Sequence, residues 1–262
     1  MQNKFLYYPG CTLKTKAKEL DGFARKSLEL LGVVVEEVRE WQCCGAVYPE
    51  ARDELAARLS AVRVLVQARD TGLPVLTLCS ACHHVLKRVN DDIRNDAEIR
   101  NRINNYLDLP APYRGEAEVF HFVEVLRDGI GFDEFKKHVQ NPLQGQKLAA
   151  YYGCMLLRPA EVMQFDDAEN PKIVEEFIAA LGGIPVKYAM RNECCGSYGT
   201  LTDAVKTTEL SGNVKASAAG EGADVIVTFC PLCKYNLDLV KDEGVKVKYF
   251  TKVVYESLGN AD

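Results

Sequence analysis

Ten cysteines fall into two matching sets along 262 residues, and any fold for this chain must accommodate that repetition. The first set is Cys11, then Cys43-Cys44-Gly45, then Cys79-Ser80-Ala81-Cys82. The second is Cys154, then Cys194-Cys195-Gly196, then Cys230-Pro231-Leu232-Cys233. The second copy trails the first by 151 residues at the vicinal pair and again at Cys-x-x-Cys, but by 143 at the lone cysteine. A constant offset interrupted once marks an internal duplication, with the length difference confined to the stretch between lone cysteine and pair.

The flanking sequence repeats as well. Lys4-Phe5-Leu6-Tyr7-Tyr8 precedes Cys11 as Lys147-Leu148-Ala149-Ala150-Tyr151-Tyr152 precedes Cys154. Val33-Val34-Val35 answers Ile184-Pro185-Val186, and Val75-Leu76-Thr77-Leu78 answers Val225-Ile226-Val227-Thr228-Phe229. These short apolar runs suit buried parallel strands. Between them lie helical spacings: Ala17, Leu20, Ala24, Leu28 and Leu31; Leu55, Leu59 and Val62 after Pro49; and Ile173, Phe177 and Leu181 between Pro171 and Gly182-Gly183. Strand and helix alternate, which predicts βαβ crossovers and a parallel sheet in each half. The expected class is α/β, two duplicated Rossmann-like domains over residues 1–143 and 144–262, with the boundary at Asn141-Pro142-Leu143-Gln144-Gly145. Residues 90–115 have no counterpart after Cys233; Ile99, Ile103 and Leu107 make them an inserted surface helix. Val119-Phe120-His121-Phe122 and Val245-Lys246-Val247-Lys248-Tyr249-Phe250 each close a half with a last strand and a short helix.

A composition of 47% hydrophobic residues supports a full core without staples. The start Met1-Gln2-Asn3-Lys4-Phe5 lacks the sections of a signal peptide, and no apolar run reaches membrane-spanning length, so a cytoplasmic protein without membrane insertion is expected. A net charge of -5 gives no general basic face, which argues against nucleic acid as a partner. In a reducing compartment ten cysteines point to metal or redox chemistry rather than to a disulfide framework, and adjacent cysteines rarely bridge without strain.

Ligands of open parallel sheets collect at the carboxyl ends of strands, and every cysteine group follows an apolar strand. One rim of each sheet could therefore gather five thiolates. Structural zinc suits the spacing of Cys79/Cys82 and Cys230/Cys233 but takes four ligands and leaves one thiol over in each half. Cys79-Ser80-Ala81-Cys82-His83 spells a c-type haem attachment motif, yet the second copy has Lys234 where His83 stands. A thioredoxin-like dithiol leaves three cysteines of that half unexplained. Iron–sulfur chemistry uses all ten, because soft thiolates select such clusters. Gly45 and Gly196, beside the vicinal pairs, permit close backbone approach to a cofactor or simply serve a turn. His83 and His84 read as ordinary helix residues, solvent-facing or beside the site, and Trp41 as packing beside the first pair.

One cysteine, then Cys-Cys-Gly, then Cys-x-x-Cys, present twice, resembles the CCG domain of the heterodisulfide reductase B subunit across almost the whole chain. The runs Tyr151-Tyr152-Gly153-Cys154-Met155-Leu156-Leu157-Arg158-Pro159, Phe165-Asp166-Asp167-Ala168-Glu169-Asn170-Pro171 and Glu193-Cys194-Cys195-Gly196-Ser197 are particularly similar. The resemblance implies two CCG domains related by a pseudo-two-fold. Each would hold a noncubane [4Fe-4S] cluster: one on Cys11, Cys43, Cys44, Cys79 and Cys82, the other on Cys154, Cys194, Cys195, Cys230 and Cys233. It further implies reductive cleavage of a small-molecule disulfide, or thiol oxidation in reverse, between the two clusters. No Gly-rich dinucleotide fingerprint or cubane-type ferredoxin spacing is present, so electrons must come from elsewhere. In the family they come from a ferredoxin-like C subunit and a flavin-containing A subunit of the same complex. The competing expectation is an electron-relay CCG protein of the kind found in lactate, glycolate or glycerol-3-phosphate oxidation systems.

Overall fold

A computed structural model of the chain describes residues 3–46, 53–241 and 244–260. The first half runs β1 (Lys4–Tyr8), α1 (Gly10–Lys14), α2 (Lys18–Leu30), β2 (Val34–Glu37), α3 (Ala56–Thr71), β3 (Val75–Thr77), α4 (Ser80–Asn95), α5 (Ala97–Leu107), β4 (Val119–His121), α6 (Phe122–Glu124) and α7 (Phe132–His138). The second runs β5 (Lys147–Tyr151), α8 (Ala160–Met163), α9 (Ile173–Ala180), β6 (Ile184–Val186), α10 (Ala204–Gly220), β7 (Val225–Thr228), α11 (Pro231–Leu239), β8 (Lys246–Tyr249) and α12 (Phe250–Ser257). The expected α/β class holds. Two four-stranded, all-parallel sheets carry the orders β2-β1-β3-β4 and β6-β5-β7-β8, the same order twice.

The central strands carry the longest apolar runs because both of their faces are covered by helices. β3 and β7 are buried at every residue. The outer strands differ from expectation: β2 and β6 are sheet edges, and Val34 and Ile184 lie about half exposed. Short apolar runs in the sequence cannot distinguish a central strand from an edge. The inserted segment lengthens α4 to Asn95 and adds α5, whose first N–H groups are capped by the Asp96 carboxylate. Ile99 and Ile103 are buried beneath it while Leu107 is only partly covered. Pro49, the expected start of the next helix, lies outside the described residues; the helix is formed from Ala56 onward.

One hydrophobic cluster spans both halves. It contains Leu20, Phe23 and Leu28 of α2, Phe122, Phe177 and Phe229, and Phe250 and Val254 of α12. Phe23 stacks on Tyr255 with centroids 4.9 Å apart, and Phe229 on Phe250 at 4.8 Å. Thr251 Oγ1 donates to the Leu20 carbonyl at 2.9 Å across the same junction. Each fully buried apolar side chain contributes about 1.5–3 kcal/mol. The contact joins the two halves chiefly through α2 and α12.

Candidate iron–sulfur site

Each cysteine group lies just past the carboxyl end of its strand, which follows from parallel topology: every crossover leaves the sheet at that rim. Cys11 sits in α1 after β1, and Cys154 follows β5. The two vicinal pairs lie in the segments after β2 and β6. Cys79 and Cys230 are the residues immediately before α4 and α11, so Cys82 and Cys233 fall in the first turn of those helices. All ten cysteines are free thiols.

Their sulfurs form a chain of near contacts. Cys11 lies 3.5 Å from Cys43, Cys44 lies 3.6 Å from Cys82, and Cys195 lies 3.0 Å from Cys233, all measured between Sγ atoms. Cys79 Sγ stands 4.0 Å from Cys230 Sγ, which makes the equivalent residues of the two halves neighbours at the junction. Among the described residues, no three His, Cys, Asp or Glu side chains close on a single metal ion.

Crowding splits the acidities of these thiols. The neighbouring Cys154 and then Cys195 thiols hold Cys194 down at about 2, whereas the Cys43 thiol beside it, and then burial, raise Cys11 far above the ordinary thiol range. Cys44 is held low by its contacts with the Cys43 and Cys82 sulfurs, and Cys230 by its contacts with those of Cys233 and Cys79. Deprotonating every thiol together would pile up negative charge inside buried protein, where it is expensive. An iron–sulfur cluster supplies the compensating positive charge, and soft sulfur donors are the ligands it selects. The residues present therefore fit such a group.

The backbone around the sulfurs is arranged alike in both halves. Gly10 and Gly153, each preceding the lone cysteine, adopt left-handed φ of +74° and +64°. A Cβ on Gly10 would stand 2.7 Å from Cys82 Sγ, and one on Gly153 would stand 3.7 Å from Cys233 Sγ. Gly45 and Gly196 also have positive φ, +79° and +81°. The Gly196 amide donates to Cys194 Sγ at 3.3 Å, so this glycine turns its N–H onto a sulfur.

Two tyrosines escape a reading that looks only at cysteine. Tyr8 donates its hydroxyl to the Gln42 carbonyl at 2.6 Å, and Tyr151 donates to the Glu193 carbonyl at 2.9 Å. Both carbonyls belong to the residue just before a vicinal pair. The signal was present as Tyr8-Pro9-Gly10-Cys11 and Tyr151-Tyr152-Gly153-Cys154, although strand patterning alone gives a tyrosine no reason to be specific. In the second half Ser197 Oγ lies 2.9 Å from Cys195 Sγ, and Ser211 Oγ donates to the Cys195 carbonyl at 2.8 Å. Trp41 packs edge-to-face on Tyr8 at 6.2 Å, as expected.

The histidines correct the sequence reading. His83 is fully buried, edge-on to His121 and Phe165, because α4 points it into the junction between the halves. Burial holds it well below the usual imidazole range, and neither ring nitrogen makes a hydrogen bond. Glu124 Oε2 approaches its Nε2 to 3.3 Å without hydrogen-bond alignment, and burial pushes the Glu124 carboxyl up to about 7. His84 is half-buried, its Nδ1 at 3.2 Å from the Met155 carbonyl of the other half.

No helix among the described residues is long and apolar enough to cross a membrane. Comparison with known proteins agrees with the duplication. The cysteine-rich domain called CCG matches twice, over residues 5–87 and 148–238. The chain is 33% identical over 252 residues to the 8-methylmenaquinol:fumarate reductase membrane anchor subunit of Wolinella succinogenes, covering 94% of this chain and 86% of that one. It is 28% identical over 261 residues to the B subunit of the ferredoxin/F(420)H(2)-dependent CoB-CoM heterodisulfide reductase of Methanosarcina acetivorans, covering 97% and 87%. Among solved structures, a hypothetical protein from Helicobacter pylori superposes with a TM-score of 0.77 at 12% identity, a likeness of fold alone. All of this chain is covered there, and it spans 50% of that chain. The cysteine-rich domain and the heterodisulfide reductase relatives imply iron–sulfur clusters. With two matches that together span most of its length, this chain belongs to the cysteine-rich CCG family.

Proposed function

We propose that this chain is the iron–sulfur catalytic component of a heterodisulfide reductase-like complex. Each half holds one noncubane [4Fe-4S] cluster on its five cysteines, Cys11, Cys43, Cys44, Cys79 and Cys82 in one and Cys154, Cys194, Cys195, Cys230 and Cys233 in the other. The observation that carries this reading is the approach of Cys79 to Cys230, 4.0 Å between sulfurs, which sets the two thiol groups side by side at the junction. When bound, such clusters supply single electrons, two of which with two protons convert one disulfide to two thiols.

The chain's own residues hold and shield the site. Cys79 and Cys230 are buried, and Ser80 fastens the junction by donating both its N–H and its hydroxyl to the Phe229 carbonyl, at 3.0 and 2.9 Å. Met155, Leu232 and the half-exposed Tyr198 line a small cavity with Cys154, Cys194 and Cys233, leaving an apolar wall from which water is largely excluded. A wall of that kind strengthens every charge interaction inside it. Electrons reach the chain from partner proteins, one ferredoxin-like and one containing flavin, because no dinucleotide or ferredoxin motif stands in this sequence.

A second reading is an electron-relay component that binds no disulfide, as in lactate, glycolate or glycerol-3-phosphate oxidation systems. The 33% identity to part of a fumarate reductase favours it. Mixing the reduced, anaerobically prepared protein with coenzyme M–coenzyme B heterodisulfide separates the two. Released thiol together with a new paramagnetic signal supports disulfide reduction. Reoxidation by a dye with no thiol release from any disulfide tried supports relay.

A further inference from the structure

The duplication makes each half a control for the other. Pairing registers equate His121 with Tyr249, opposite Thr77 and Thr228, so Glu124 of one half occupies the place of Lys252 in the other, each lining a groove beside its last strand. From the vicinal pair to Cys-x-x-Cys the offset is fixed at 151, which equates Ala46 with Ser197 and Val85 of α4 with Asn236 of α11. Twice, beside equivalent sulfurs, an apolar side chain of the first half stands where the second half carries a hydrogen-bond donor.

Both donors gather on Cys195. Ser197 Oγ lies 2.9 Å from Cys195 Sγ, and Asn236 Nδ2 lies 3.9 Å from the same sulfur and 3.4 Å from the Cys195 carbonyl. Thr200 Oγ1 donates to Asn236 Oδ1 at 3.1 Å, which turns the amide NH2 towards the sulfur. Ser197 and Asn236 are buried, where a polar contact is stronger than in water. A cysteine that ligates metal is a thiolate and only accepts, so the Ser197 hydroxyl is the donor in that state. Ala46 and Val85 pack against the apolar cluster of the first half. That half offers one comparable group, the half-buried Thr12, whose Oγ1 is 3.8 Å from Cys11 Sγ; Met155 takes its place in the second. Among the described residues, no other side-chain hydroxyl or amide reaches a cysteine sulfur of the first half.

Backbone amides do not separate the halves: those of Gly45 and Ala46 face Cys43 and Cys44, and those of Gly196 and Ser197 face Cys194. Nor do flanking charges, which are paired on both sides. Lys234 meets Asp238 at 2.5 Å and Arg191 meets Glu175 at 3.4 Å, while Lys14 and Arg25 meet Glu37 at 2.7 and 2.5 Å.

Hydrogen bonds onto ligand sulfur favour the reduced, more negative state of an iron–sulfur centre and raise its potential. We infer that Ser197 and Asn236 make the second half the stronger electron holder of the pair, so that one electron shared across the Cys79–Cys230 contact leaves the first-half centre oxidised and the second-half centre reduced. This rests on the two-cluster reading above, and holds whether the final acceptor is a disulfide or another carrier. Cys195 and Ser197 also bound the small apolar cavity, so the electron settles beside the space open to a substrate.

The test is a potentiometric titration of the full chain, loaded anaerobically with iron and sulfide, reduced stepwise with dithionite and followed by paramagnetic and visible spectra. Cys195→Ser identifies which signal belongs to the second half. A higher midpoint is expected for that centre. Ser197→Ala should weaken its reduction about ten-fold, a fall of about 59 mV for one electron, and move the first centre less than about two-fold; Ser197→Thr, which keeps the hydroxyl, should stay within about two-fold of the parent. Asn236→Val should act in the same direction with a smaller shift, because its sulfur contact is longer. Ala46→Ser should raise the first centre and narrow the gap. Equal midpoints in the parent, a higher midpoint in the first half, or an unchanged gap in Ser197→Ala overturns the inference and leaves two clusters in place. Should Ser197→Ala lose the second centre, Asn236→Val and Ala46→Ser decide, and the absence of a shift in both overturns it. Protein that binds no iron and sulfide removes the two-cluster reading and this inference together.

Discussion

Tyr8 and Tyr151 each tie down the carbonyl before a vicinal cysteine pair, Gly10 and Gly153 each turn left-handed before a lone cysteine, and Cys79 meets its own counterpart Cys230. A few residues farther along the same strands and helices the resemblance between halves ends. Glu124 stands against Lys252, and α5 has no partner in the second half. Duplication has kept what positions sulfur and released what faces outward. The sulfur-bearing rims are constrained by one another across the junction, whereas the outer grooves meet no such counterpart.

The comparison breaks most decisively at the ligands. Cys195→Ser removes one donor from the second set alone, and anaerobic spectra should show the second centre altered or lost with the first still present; simultaneous loss of both would mean that the halves do not bind metal independently. A finer split comes from glycine. Gly10→Ala places a methyl group 2.7 Å from Cys82 Sγ at φ +74°, whereas Gly153→Ala leaves 3.7 Å to Cys233 Sγ. Strain plus a clash should cost the first about 2–4 kcal/mol, and strain alone should cost the second about 1–2 kcal/mol, read as the difference in denaturant midpoints.

Glu124 gives a pH-dependent contrast with its positional counterpart Lys252. Burial raises its folded-state value to about 7, so between the ordinary carboxylate range and pH 7 the native state holds a proton that the unfolded state has released. Stability due to this group therefore falls as pH rises through that window, by on the order of 2–3 kcal/mol, and the loss is complete above it. Glu124→Gln should flatten the slope, and a slope identical to that of the parent would refute the assignment. The smallest effect is expected from Tyr8→Phe and Tyr151→Phe. Each leaves one carbonyl short of a donor at a cost of about 1 kcal/mol, and each should disturb the spectrum of its own half only.

Much of this was legible in the sequence because cysteine and glycine are chemically unambiguous and the duplication doubled the evidence. The α/β class and a parallel sheet in each half follow from short apolar runs ending at cysteine. The edges did not. Val34 and Ile184 read like Val75 and Val225, since local pattern carries no information about which strand has a neighbour on both sides. His83 looked like a helix residue free to face water, and only the packing of two halves against each other buries it. The approach of Cys79 to Cys230 was equally invisible: pairing between halves depends on long-range packing of α2 on α12, for which no short motif exists.

Iron and acid-labile sulfide, measured on oxygen-free protein alongside the Cys195→Ser variant, test the central claim most directly. Five sulfur donors per half predict a coloured protein containing both iron and inorganic sulfide, with the variant keeping the first-half centre. A colourless preparation with stoichiometric zinc and no sulfide would contradict the account.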